Sequence, residues 1–170
     1  KKGSYTEDGK LTYTVNVVSK KGTPGEVSYA DAITNLDGLT LGEPTIVVKE
    51  RTVTETRASK EDEWGRGNSH PSVWAATTGD KLDGTADGKI SGTLPKMETV
   101  VSDDGLVRTY TEYQVTYTYD VKNLGDKDYT LKNKVSTSSK NDNGVEIKKD
   151  ADKTVEINNQ YTLKKTASYE

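Results

Sequence analysis

The chain has no cysteine among its 170 residues, which excludes a disulfide framework, a thiolate metal site and a cysteine nucleophile. It has a single histidine, His70, with no second His or Cys to complete a metal site. No stretch is apolar enough to cross a membrane, and the opening "KKGSYTEDGK" is not a signal peptide. The 24 basic and 27 acidic residues are mixed along the chain, so there is no basic stripe for a nucleic-acid backbone. A Ser-His-Asp arrangement, a phosphate-binding glycine loop and a metal cluster are all missing, which argues against an enzyme. The nearest approach to a sortase sorting signal is "TLPKM" at 93–97, which lacks the following Thr-Gly. The expectation is an interior slice of a longer protein.

Apolar residues are also scarce, at 31% against 30% charged, and the mean hydropathy is -0.83. Such a composition borders on disorder. What is present argues for order instead. Tyr, Thr and Val fill the patterned stretches, as suits a pleated, half-buried surface. "LTYTVNV" sets Leu11, Tyr13, Val15 and Val17 on one face, and "VSYADAI" groups Val27, Tyr29, Asp31 and Ile33. "YQVTYTYDV" does the same for Tyr113, Val115, Tyr117, Tyr119 and Val121. Turn signals fall between them at "TEDGK", "KKGTPGE", "NLDGL", "SDDG", "NLGDKD" and "KNDNG". No segment has a helical period. The pattern predicts an all-β fold, an antiparallel, immunoglobulin-like β-sandwich.

One stretch breaks the rhythm. Residues 58–89 hold both tryptophans, the histidine and several glycines, and read as a long insertion, either functional or connecting the sheets. Trp64 and Trp74 could stack on a sugar, although tryptophans in a sandwich more often plug the core or cover its end. Asp80, Asp83 and Asp87 offer oxygens for Ca²⁺, but their spacing is not that of an EF-hand.

Polar residues also fall on apolar faces. In "YTLKNKVSTSS" Asn133 shares a face with Leu131, Val135 and Thr137. Asp31 lies in phase between Tyr29 and Ile33, and Lys165 between Leu163 and Ala167. The two ends echo each other without a gap, "KKGSY" at 1–5 and "KTASY" at 165–169, which sets Lys1 in phase with Gly3 and Tyr5. The echo predicts one repeat over 1–160, with 161–170 as linker and the start of a tandem copy. Leaving a lysine, an aspartate and an asparagine buried and unpaired would cost several kcal/mol. Either a hydrogen-bonded cluster or a covalent link would relieve that cost.

Four phrases in order, "KKGSYTEDGKLTYTVNV", "VSYADAITNLDGL", "VTYTYDV" and "LKNKVSTSS", resemble the isopeptide-forming fimbrial and adhesin domains of Gram-positive surface proteins. The resemblance covers most of the chain outside 58–89 and departs from the usual pattern at Ala32 and Asn35. It implies an amide bond between the side chains of Lys1 and Asn133, with Asp31 as the assisting acid. Burial disfavours a charged amine and a charged carboxyl alike. A neutral amine could then attack a carboxamide polarised by the acid, with loss of ammonia. Such a link would close a loop of about 130 residues and, by analogy with a disulfide of that span, stabilise by about 5 kcal/mol.

The expectation is therefore a structural stalk or adhesin domain, extracellular and on the cell surface within a cell-wall-anchored parent. It needs no cofactor, and its reaction occurs once per molecule. Expected partners are neighbouring repeats of the same polypeptide and a host protein or glycan, with no nucleic acid and no membrane insertion. A carbohydrate- or host-ligand-binding module using the Trp64 and Trp74 insertion is the rival reading.

Overall fold

The computed structural model describes residues 1–64, 68–140 and 143–158. Within them all regular structure is strand: β1 (Lys2–Thr6), β2 (Lys10–Val18), β3 (Val27–Thr34), β4 (Thr45–Thr56), β5 (Ser69–Pro71), β6 (Ala75–Ala76), β7 (Lys81–Thr85), β8 (Lys89–Leu94), β9 (Thr99–Val101), β10 (Val107–Asp120), β11 (Tyr129–Lys140) and β12 (Glu146–Ile157). Every pairing is antiparallel. One sheet runs β1-β2-β10-β4-β5, with β6 also on β4 and β9 on β10, and the other runs β12-β11-β3-β8-β7. This is the β-sandwich that the alternation predicts. Lys165 and the rest of the C-terminal echo lie outside the described residues.

The core is where the alternating apolar faces meet. Leu11, Tyr13, Val15, Tyr113, Val115, Tyr117 and Tyr119 of the first sheet pack on Val27, Tyr29, Ile33, Ile90, Leu131 and Val135 of the second. Tyrosine supplies much of the bulk. Tyr13 and Tyr117 lie with ring centroids 5.8 Å apart, and Tyr117 meets Tyr119 edge-on at 6.2 Å. Large amphipathic rings fill a thin core while carrying hydroxyls into it, and those hydroxyls need partners.

The 58–89 stretch is a crossover between the sheets and not one long loop. It leaves β4, adds the short strands β5 and β6 to the first sheet, and enters the second as β7, which pairs with β8. Strands of two or three residues are too short to show alternation, so the sequence reads them as loop. The tryptophans also sit elsewhere than the core or its end. Register sets Tyr110 opposite Val53 and Val115 opposite Val48. Five residues separate the members of each strand's pair, so the two pairs face opposite ways. Val53, Glu55 and Tyr110 are buried on the face turned away from the sandwich core. Trp64 covers that side through Arg57 and Arg108, and Trp74 lies over Arg51.

Candidate functional site

Three strands from two sheets carry the polar cluster. β3 and β11 are neighbours with Asp31 opposite Val135 and Ile33 opposite Asn133. Asp31 and Asn133 are therefore diagonal neighbours on the core face, a separation that side chains span easily. Tyr117 comes from β10 in the facing sheet. Lys1 enters from the residue before β1, the edge strand held on β2 by the Lys2–Thr14 pairing. Gly3 makes that approach feasible. A β-carbon there would lie 2.8 Å from the Tyr13 ring and 2.9 Å from a Val155 methyl, so any side chain would lift β1 away. Lys2, by contrast, is exposed.

The Lys1 ammonium is sealed inside, with its side chain 1% exposed and that of Asp31 0%. Lys1 Nζ donates to Asp31 Oδ2 at 2.8 Å and to Tyr117 Oη at 3.0 Å. It also lies over the rings of Tyr13 and Tyr117, 5.0 and 5.5 Å from their centroids. Tyr117 donates its own hydroxyl proton to Asp31 Oδ2. Asn133 Nδ2 donates to Asp31 Oδ1 at 2.6 Å and to the Ala32 carbonyl at 3.4 Å. Asp31 is thus the hub, with the amine and phenol on one oxygen and the carboxamide on the other.

The electrostatics pull against each other. Loss of water pushes the Lys1 amine below its ordinary value of 10.5, outweighing the charge and hydrogen bond of Asp31 and the weaker pull of Asp152. Burial pushes the phenols of Tyr13, Tyr29, Tyr117 and Tyr119 well up, so each stays protonated. Three polar atoms of this core have no hydrogen-bond partner: Asn133 Oδ1 and the hydroxyls of Tyr13 and Tyr119. An acceptor left so costs about 1–3 kcal/mol.

The structure thus brings Lys1, Asp31 and Asn133 to one place. It does not gather the other sequence candidates. Asp80 precedes β7, Asp83 lies within it, and Asp87 lies in the β7–β8 turn, where it accepts from the Thr85 hydroxyl. The described residues contain no group of three metal-ligating side chains. Trp64 stacks on Arg57 with 4.0 Å from ring centroid to guanidinium carbon, and Trp74 on Arg51 at 4.3 Å. His70 is exposed on β5. Tyr117 was not singled out by sequence reasoning, because it reads as one more inward tyrosine in "YQVTYTYDV".

No protein-family model matches the chain, and no curated protein sequence does. Solved structures do. The collagen-binding subdomain ACE19 of the Enterococcus faecalis surface protein ACE superposes with a TM-score of 0.52 at 15% identity, covering 91% of this chain and 93% of that one. A longer structure of E. faecalis ACE, described as binding its ligands by a collagen hug, gives 0.52 at 16%, covering 92% and 48%. The collagen-binding domain of a Staphylococcus aureus adhesin gives 0.48 at 15%, covering 92% and 95%. The likeness is one of fold. Its structural neighbours are β-sandwich adhesin domains of Gram-positive surface proteins.

Proposed function

We propose that the chain is a structural or adhesive module of a Gram-positive cell-surface protein, stiffened by an autocatalytic isopeptide bond between Lys1 and Asn133. The observation that carries this is the sealed Lys1–Asp31–Asn133 constellation. In this reading the Lys1 proton passes to Asp31, turning a charged pair into a neutral amine and a neutral acid in a site sealed from bulk solvent. A half-turn of the Asn133 carboxamide then offers its unpartnered Oδ1 to the acid proton, which polarises the carbonyl carbon. Lys1 Nζ attacks Asn133 Cγ as Oδ1 takes the acid proton. Nζ gives up one proton to Asp31, which passes it to Nδ2, and ammonia leaves as the Oδ1 proton returns to Asp31. The fold holds the partners in place, and proximity supplies most of the acceleration. The reaction runs once, so it is maturation and not turnover.

Residues 1–160 form one repeat in this reading, and 161–170 begin the next. The module stands outside the cell in a wall-anchored parent, next to further repeats. The collagen-binding neighbours suggest a host matrix protein as ligand. Peptide mapping tests the bond: a branched peptide joining Lys1 to Asn133 is expected, and separate linear peptides from folded protein would refute it. Binding to immobilised collagen tests the ligand, and a chain that matures but does not bind is a spacer.

A further inference from the structure

Tyr117 has a hydroxyl in contact with both ends of the proton's path. Its Oη accepts from Lys1 Nζ at 3.0 Å while donating to Asp31 Oδ2. The residue is fully buried, and its ring lies beneath the same amine. Tyr13 gives an internal contrast. Its ring also lies under Lys1, at 5.0 Å, and it too is fully buried, but its hydroxyl has no partner. Two tyrosines from adjacent strands therefore flank one amine, and only one of them is wired to the carboxylate.

We infer that Tyr117 is a catalytic residue of the cross-linking reaction, holding the Lys1 amine on Asp31 and relaying its proton through the phenol. The inference rests on the isopeptide reading above. As Nζ bonds to Asn133 Cγ, it must shed one proton for the amide to form. With the first acid proton lent to Asn133 Oδ1, the Nζ proton moves to Tyr117 Oη as the phenol proton moves to Asp31 Oδ2, so the phenol is regenerated within the same step. Asp31 then delivers that proton to Nδ2, the Cγ–Nδ2 bond breaks, ammonia departs, and the Oδ1 proton returns to Asp31 as the carbonyl re-forms. The sum is one amine and one carboxamide converted to one secondary amide and ammonia, with Tyr117 and Asp31 unchanged. A phenol held protonated by burial suits a relay in which both protons move together.

Cell-free synthesis of the full chain, sampled over time by intact-mass spectrometry, follows the loss of ammonia directly. Tyr117→Phe is expected to slow that loss by about 100-fold, the lower range for a positioned acid–base group. Tyr13→Phe, which keeps the ring under Lys1, should mature at the wild-type rate. In mixtures of light and heavy water the wild-type rate should depend on deuterium fraction along a curve, as two protons in flight require. Equal rates in wild type and Tyr117→Phe would overturn the relay, as would equal slowing in both tyrosine variants. Should Tyr117→Phe not fold, the wild-type solvent experiment decides alone, since a linear dependence also overturns the relay. A wild-type chain that never loses ammonia refutes the isopeptide reading itself, which separates the two failures.

Discussion

Two buried ion pairs stand in different places in this molecule, and they are built for different ends. On the outward face of the first sheet Arg108 bonds Glu55 through Nε at 2.9 Å and through Nη2, with side chains 13% and 3% exposed. Trp64 covers the guanidinium at 4.9 Å. Between the sheets Lys1 bonds Asp31 with both side chains sealed. Arginine keeps its charge under any environment a protein offers, and its planar fork suits a carboxylate and an aromatic face. Lysine is a point charge whose proton burial readily loosens. The first pair is a fastening. The second, in the reading proposed above, holds a nucleophile beside a carboxamide, and stability alone gives no reason to prefer a buried lysine there.

The comparison breaks hardest at Asp31. Asp31→Ala strands a buried amine, worth about 3–5 kcal/mol, and removes the acid. Without the cross-link a further loss of about 5 kcal/mol follows, together most of a domain's net stability. Denaturant unfolding with intact mass on the same sample checks both, and full mass is expected. Lys1→Arg is sharper, because it puts the chemistry of the outer pair into the inner site. It should keep the ion pair, form no bond, and lose about 5 kcal/mol. At the outer pair, Glu55→Gln should cost roughly 2–3 kcal/mol and leave the ammonia loss intact, because an arginine is left half-satisfied but still partly reached by water. Trp64→Ala should cost only about 1 kcal/mol, by loss of its stacking on Arg57 and Arg108.

The pairs also differ in pH response. Folded Lys1 releases its proton at lower pH than an unfolded lysine, so between the two values the unfolded chain binds more protons. In the uncross-linked Asn133→Ala chain, Lys1 should therefore contribute stability that rises with pH towards 10.5 and is absent at acid pH. Bond formation in the native chain should instead slow with pH over that window, because loss of the proton shared by Lys1 and Asp31 leaves no acid to polarise Asn133. Replacing Glu55 should leave that profile unmoved.

The inner site was far more legible in sequence than the outer one. Asn133 and Asp31 each interrupt an otherwise apolar alternation, and a period of two leaves no freedom about which face they take. Lys1 followed from the same phase. Tyr117 did not, because an inward tyrosine in a strand is unremarkable until its hydroxyl has a partner from another sheet. Glu55 was invisible for a different reason. In "TIVVKERTVTET" the buried positions change parity between Val48 and Val53, as β4 runs past the sandwich and buries its other face. Alternation assumes one buried face per strand, and here the same strand has two. The short strands of the crossover likewise depend on the neighbours that β4 offers them.

The most direct test of the account is the intact mass of the purified, folded chain. A deficit of one ammonia, present in the native protein and absent in Asn133→Ala and Asp31→Ala, is the predicted result. Full theoretical mass in a folded native sample would contradict it, and the buried lysine would then be held by Asp31 and Tyr117 through hydrogen bonds alone.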